Sequence, residues 1–179
     1  MNTDNISKDN TLKKINTINV LDIENTQKLL REFCSSTQWI ASMANARPYK
    51  DGEHMLALAE SLWLKATEED ILDAFLGHPK IGDLNALKNK YAHHATTEQG
   101  QVADAQDEIL QQLQQYNENY EKQFGFIFIV CATGKSASEM LNLIKQRIIN
   151  SRDDELRNGA SEQLKIIHLR IQRWLEDSQ

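Results

Sequence analysis

Residues 67–83, with the sequence TEEDILDAFLGHPKIGD, contain a complete helix signal followed directly by a corner. Thr67 can cap the helix, with Asp70 at the third helical position and apolar residues spaced three and four apart beyond it. Pro79 fixes its own φ and disfavours helical backbone at His78, so the helix must stop there. Because imidazole titrates near neutral pH, His78 is a candidate acid or base held at a rigid corner.

Helical patterns of the same kind recur along most of the 179-residue chain. Seven glycines and two prolines leave few helix-breaking positions, while Leu, Ala, Gln, Glu and Lys are abundant. Two further capping-box spacings stand at residues 96–99 and 136–139, each ahead of an apolar periodic run. The sequence therefore predicts an all-α, single-domain bundle of about eight helices.

Two stretches depart from this pattern. Residues 1–18 are rich in Asn, Thr, Lys and Asp and lack sustained periodicity, so we predict a flexible polar leader before a helical domain at residues 19–179. Residues 124–131, FGFIFIVC, form the one aromatic and β-branched run and are expected to be extended or fully buried. Gly125 in this run suggests a close approach of backbone to a neighbour. The last predicted helix, from about residue 153 to 177, should turn Leu156, Leu164, Ile167, Ile171 and Leu175 inward.

Composition excludes several classes of function. A net charge of −6 and a pI near 5.4 argue against a general nucleic-acid binder, which needs a basic surface for phosphates. No run approaches the length of about 18 apolar residues that a membrane span needs, and we expect a cytoplasmic protein with no membrane partner. Cys34 and Cys131 lack metal-ligand or CxxC spacing and are predicted to be core thiols. The adjacent His93 and His94 are expected to face solvent, so no metal site is predicted.

Gly134, Lys135 and Ser136 follow an apolar run and precede a helix, as the end of a phosphate-binding P-loop does. The complete motif requires a glycine five residues before Gly134, where this chain has Ile129. Nucleotide hydrolysis is therefore not predicted.

Three stretches together resemble the OHCU decarboxylase family, whose substrate is 2-oxo-4-hydroxy-4-carboxy-5-ureidoimidazoline. They are HPKIGD at residues 78–83, Glu98 with Gln99, and FGF followed by CATGKSA within residues 124–137. The similarity extends from about residue 34 to residue 175. It implies an all-helical, usually dimeric carboxy-lyase that needs no cofactor and makes (S)-allantoin in the last step of urate oxidation.

The same resemblance implies the site residues. His78 and Glu98 would be the catalytic pair, and Arg170 the substrate-binding cation, with Arg157 and Arg173 as alternatives for that cation. The other substrate contacts that it implies are Pro79, Ala95, Ile129, Cys131 and Ala132.

Two positions differ from the family pattern. Ala95 stands where the family commonly has a serine, and Thr133 stands where it often has an arginine. One hydroxyl contact and one positive charge are thereby missing, for which Thr96 or Thr97 and Lys135 are the nearest replacements. These departures leave two alternatives: a catalytically silent helical interaction domain, and a decarboxylase of a related ureido-imidazoline.

Overall fold

The computed structural model describes the backbone of residues 3–78 and 101–177, and side chains within 10–78 and 107–177. These ranges contain eight α-helices and no strand, which confirms the all-α prediction. The helices are α1 (Thr3–Val20), α2 (Ile23–Phe33), α3 (Thr37–Asn45), α4 (Gly52–Trp63), α5 (Glu68–Leu76), α6 (Gln101–Phe124), α7 (Ala137–Arg147) and α8 (Arg152–Glu176). None of them is both long enough and apolar enough to cross a bilayer within the ranges described.

The chain divides into two compact units. Unit 1 combines Met1–Gly77 with Ser161–Gln179, and unit 2 is His78–Ala160. Helix α8 therefore contributes residues to both units.

Unit 1 is organised around α3, which packs against α2, α4 and α5. The apolar side chains of its core are almost fully buried, including Leu30 on α2, Met43 on α3 and Met55 on α4. The indole N–H of Trp39 donates to the backbone oxygen of Ala59 at 3.1 Å, so this buried ring is also hydrogen-bonded. Burial of these side chains is the main stabilising contribution to this unit.

The helices of unit 1 begin where short polar side chains can accept backbone N–H groups. Asp22, Ser36, Asp51 and Thr67 each cap one helix in this way. At α5 the reciprocal capping box between Thr67 and Asp70 is complete, as the sequence predicts.

The N-terminal stretch differs from the flexible leader expected for residues 1–18. Helix α1 covers most of it, and Ile15 and Ile18 are buried, with exposures of 1% and 0%. Arg47 ties the end of this helix down by donating from Nη1 to the backbone oxygen of Ile18 at 2.9 Å. The two isoleucines are too few to give a periodic signal, and α1 packs against α4, which begins only at Gly52. The boundary of the helical domain at residue 19 stays a prediction.

Unit 2 pairs α6 with α7 and packs an aromatic cluster beside them. The ring of Tyr120 lies 4.5 Å from that of Phe124, 6.1 Å from Phe126 and 5.2 Å from Phe128, measured between centroids. The run after α6 is thus non-helical and largely buried, as expected. The close approach expected at Gly125 is wrong, because a Cβ there would meet nothing within 4 Å. Glycine is favoured instead by its φ of 79°, which ends α6.

The buried face of α8 differs in part from the prediction. Ile167, Ile171 and Leu175 are buried as expected, whereas Leu156 and Leu164 are only half-buried. The buried positions continue the same row back in steps of four, to Gln163, Gly159 and Glu155, which places polar residues inside. Cys34 is buried and Cys131 half-buried, and neither forms a disulfide.

Candidate active site

His78 directly follows Gly77, the C-cap of α5, and is half-buried. The end of α5 is held in place because Ser35 Oγ donates to the backbone oxygen of Ala74 at 3.0 Å. A Cβ at Gly77 would lie 2.1 Å from Ser35 Oγ, so only glycine permits this approach. The chain therefore enters the predicted catalytic histidine from a helix end whose position is set by close packing.

Ile129, Cys131 and Ala132 lie together on the non-helical segment between α6 and α7. Ile129 is buried, and its backbone oxygen accepts from Nη1 of Arg147 at 2.8 Å. The backbone oxygen of Cys131 accepts from Nζ of Lys135 at 2.7 Å, and that of Ala132 accepts from the Lys135 N–H at 3.1 Å. Lys135 thus bonds to the segment's own backbone.

Beside Ile129 lies a group that we call the Glu155 cluster, formed by Tyr120, Arg147, Asn150, Glu155 and Asn158. Tyr120 and Glu155 are buried, Arg147 and Asn150 are half-buried, and Asn158 is exposed. The Glu155 carboxylate is fully buried and accepts four hydrogen bonds. Oε2 accepts from the Tyr120 hydroxyl and from Arg147 Nε, the latter at 2.8 Å. Oε1 accepts from the side-chain amides of Asn150 at 2.7 Å and Asn158 at 2.8 Å. Every lone-pair direction of a carboxylate is then used, which is what a buried charge requires.

The electrostatics agree with a charged Glu155. Burial acts to raise the pKa of this carboxyl, but the hydrogen bonds from Tyr120, Asn150 and Asn158 and the Arg147 charge outweigh it and hold the pKa below its ordinary value. Burial, and next the hydrogen bond to Glu155, raise the pKa of Tyr120 far above its ordinary value, so the phenol stays a donor. The Arg147 guanidinium lies 4.7 Å from the centroid of the Phe128 ring.

Sequence reasoning missed this cluster. Its members are spread over Tyr120 to Asn158 and match no motif. One signal was present, since the row Ile167, Ile171 and Leu175 extends back in steps of four to Glu155. A carboxylate on the buried row of a helix needs partners, and this alone would have pointed to a cation nearby.

Arg170 lies half-buried on α8 in unit 1. Its Nη1 donates to the backbone oxygens of Glu32 at 3.3 Å and Phe33 at 3.2 Å, at the C-terminal end of α2. A cation is favoured there by the negative end of the helix dipole. Burial raises the pKa of the neighbouring Cys34 thiol to about 11, and the Arg170 charge acts against that rise. The alternative cation Arg157 is instead 70% exposed and paired with Asp154.

Of the predicted site residues, the described part of the chain includes His78, Ile129, Cys131, Ala132 and Arg170. Pro79, Ala95 and Glu98 lie outside the described residues, as do His93 and His94, so their places stay predictions. His78 and Arg170 belong to different units, and each is described within its own. Within the described part of the chain, no three His, Cys, Asp or Glu side chains group as metal ligands would.

Unit 1 also contains an open cavity of about 280 Å³ between α1, α2 and the end of α8. Lys13, Lys14 and Trp174 line it, and Lys14 Nζ lies 5.6 Å from the centroid of the indole. None of the predicted site residues takes part.

A family model described as OHCU decarboxylase matches residues 19–172. This chain belongs to the OHCU decarboxylase family. The match includes His78, Glu98, the segment 129–132 and Arg170.

Two similar proteins and one solved structure support this family assignment. The uric acid degradation bifunctional protein TTL of Arabidopsis thaliana is 33% identical over 80% of this chain, which spans 45% of that protein. The 2-oxo-4-hydroxy-4-carboxy-5-ureidoimidazoline decarboxylase of Haloferax volcanii is 24% identical, with 86% of this chain and 91% of the relative covered. A crystal structure of OHCU decarboxylase in the presence of (S)-allantoin superposes with a TM-score of 0.68 and 32% identity, covering 82% of this chain and 96% of that one.

Proposed function

We propose that this protein is a cofactor-independent carboxy-lyase of purine catabolism, which converts OHCU to (S)-allantoin in the last step of urate oxidation. The observation that carries the proposal is the family match over residues 19–172. The likeness to an OHCU decarboxylase solved in the presence of (S)-allantoin supports it, because that likeness covers 82% of this chain.

The reaction makes modest demands on the protein. The bond between the ring carbon and the carboxylate breaks and CO₂ leaves, while the electron pair forms a C=C bond to the neighbouring ring carbon and the C=N pair moves onto nitrogen. A proton then adds to one face of that neighbouring carbon, which sets the handedness of allantoin, and the hydroxyl loses its proton to become the ring carbonyl as the nitrogen gains one. Because the substrate supplies its own electron sink, the protein has to orient the carboxylate, stabilise charge on the ring and deliver that proton.

In this proposal His78 contacts the substrate hydroxyl or carboxylate and carries the proton. Glu98 accepts a hydrogen bond from the imidazole and fixes its tautomer. The corner at the end of α5 supports the role of His78, because close packing at Gly77 fixes where the backbone of the histidine begins.

Substrate recognition in this proposal uses backbone and one cation. Backbone groups of Ile129, Cys131 and Ala132 contact the ureido group and ring edges, and Arg170 binds an anionic or carbonyl oxygen. Pro79 and Ala95 complete the proposed contacts. The Arg170 guanidinium supports its role, since its hydrogen bonds to the described residues run from Nη1 to α2, and none of them uses Nε or Nη2.

We also propose a cytoplasmic homodimer, as the family resemblance implies. The mass of the purified protein in light scattering tests the assembly, and a monomer at micromolar concentration would contradict it.

Turnover with the correct handedness tests the proposed function. OHCU is generated in situ from urate with the two preceding enzymes, and circular dichroism follows the product, because spontaneous decay gives racemic allantoin. Wild-type protein should give a rapid rise of one enantiomer, and His78→Ala should lower the rate about a hundredfold or more.

His54→Ala provides the matched control, since His54 lies at the start of α4 and accepts a hydrogen bond from the Lys50 N–H within its own turn. It should retain the wild-type rate. Racemic product at the uncatalysed rate from folded wild-type protein would contradict the enzymatic function and favour a silent interaction domain.

A further inference from the structure

We infer that Arg147 is a positioning residue for the reaction, which holds the Ile129 carbonyl and with it the segment 129–132. Arg147 itself does not touch substrate in this inference. The inference rests on the proposed function, because only substrate recognition by that segment gives its placement a catalytic consequence.

The guanidinium is held at three points. Nε donates to Glu155 Oε2 at 2.8 Å, Nη1 to the Ile129 oxygen at 2.8 Å and Nη2 to the Tyr120 hydroxyl at 3.3 Å. The planar group also lies over the Phe128 ring. Because the fork is rigid, a shift that satisfies one acceptor better would loosen the other two.

The anchor behind Arg147 is equally constrained. Glu155 has both carboxylate oxygens occupied, with Asn150 and Asn158 on Oε1 and Tyr120 on Oε2 beside the arginine. The ion pair itself uses only Nε of Arg147, which donates to Glu155 Oε2. Here one N–H group is directed instead at a main-chain oxygen of the segment assigned to substrate. Because of this contact, Arg147 also fixes the position of the Ile129 carbonyl.

Lysine separates charge from placement at this position. Arg147→Lys keeps a positive charge beside Glu155, but one ammonium nitrogen cannot reproduce the planar contacts to Glu155, Tyr120 and the Ile129 oxygen. The substituted protein should keep its fold while the segment 129–132 loses one fixed point.

Steady-state kinetics with OHCU generated in situ tests the inference. For Arg147→Lys we expect KM to rise about tenfold, as for one lost hydrogen bond, with kcat within about twofold of wild type. A purely structural role predicts the opposite split, because a partly unfolded sample contains fewer active molecules and lowers apparent kcat at unchanged KM.

Arg152→Lys is the matched control. Arg152 lies in the same unit, its Nε donates to the backbone oxygen of Phe124 at 3.2 Å, and its guanidinium lies 5.7 Å from the Phe126 centroid. The substitution and the kind of contact are the same, but the carbonyl lies outside the segment 129–132. KM should stay at the wild-type value.

Unchanged KM in folded Arg147→Lys, with an active wild type, would overturn the inference alone. An equal rise of KM in Arg152→Lys would also overturn it, since general loosening would then explain both. If Arg147→Lys does not fold, Tyr120→Phe replaces it, because it removes the acceptor of Arg147 Nη2 and should raise KM about threefold. Racemic product from wild type would overturn the proposed function and this inference together.

Discussion

Helix α5 and the segment between α6 and α7 both lead to residues assigned to the site, but they are held by different forces. α5 begins at the Thr67 capping box, buries Phe75 and ends at Gly77, where its last turn packs against Ser35. The segment has no helical hydrogen bonds of its own, and charged side chains hold its carbonyl groups instead.

The difference shows what each kind of support can do. Apolar packing is non-directional, so it places a whole helix, and at the end of α5 the Ser35 hydrogen bond to Ala74 and the close contact at Gly77 fix the last turn. The hydrogen bonds of a guanidinium are directional, so Arg147 sets one carbonyl oxygen within a hydrogen-bond length. A histidine that transfers a proton needs a backbone that stays in place. A segment that binds a ligand through its backbone needs each of its oxygens to be placed individually.

The largest expected effect comes from removing the charge behind the segment. Glu155→Ala should lower the free energy of unfolding by about 4 kcal/mol, because Arg147 is then left buried without its carboxylate. Leu30→Ala, in the core of unit 1, should lower it by about 3 kcal/mol through a cavity. Urea denaturation measures both changes.

A second substitution distinguishes the two mechanisms. Arg147→Met added to Glu155→Ala should restore part of the loss, because the uncompensated charge is gone. If instead Arg147→Met lowers the free energy of unfolding of the Glu155→Ala protein as much as it lowers that of wild type, charge pairing is not what stabilises this region.

The two regions were also unequally predictable from sequence. The start and end of α5 follow from neighbours within a few residues, namely the Thr67–Asp70 spacing and the His78–Pro79 pair. Both predicted ends agree with the structure, in which the helix begins after Thr67 and stops before His78. The burial of Phe126, Phe128 and Ile129 followed from composition alone. What holds them did not, because Arg147 and Glu155 lie 18 or more residues away from Ile129 in the chain, and no local rule links them.

The candidate site shows the same limit. His78 and the family pattern could be recognised from the motif, whereas Arg147, on α7, could be inferred only as the cation that Glu155 on the buried row of α8 requires. Helix α1 was missed for a related reason, since the end of the helix is held by Arg47, which donates to the Ile18 carbonyl from 29 residues further along the chain.

A smaller effect is expected from pH. The pKa of Glu155 is lowered in the folded protein below its ordinary value of 4.5, so its ionisation stabilises the fold fully above that value. The contribution is lost as pH falls through the folded pKa, because the carboxyl then takes up a proton that the unfolded chain already holds. Unfolding free energies measured from pH 7 to pH 3 should fall more steeply for wild type than for Glu155→Gln.

Glu118→Gln serves as control for the pH experiment, since Glu118 is exposed on α6. Its profile should follow that of wild type. A Glu155→Gln profile parallel to wild type over the whole range would show that the acid sensitivity arises elsewhere.

The smallest effect tests whether the two regions share their local signals. Thr67 and Ser136 both form reciprocal capping boxes, at α5 and at α7, so each change to alanine should lower the free energy of unfolding by about 1 kcal/mol. Ser61→Ala, at an exposed position inside α4, should change it by less than about 0.5 kcal/mol. Because capping acts within one turn, equal losses in denaturation are expected although the surroundings differ. A loss of stability at Ser136 several times that at Thr67 would show that the start of α7 depends on the preceding segment and not only on capping within its own first turn.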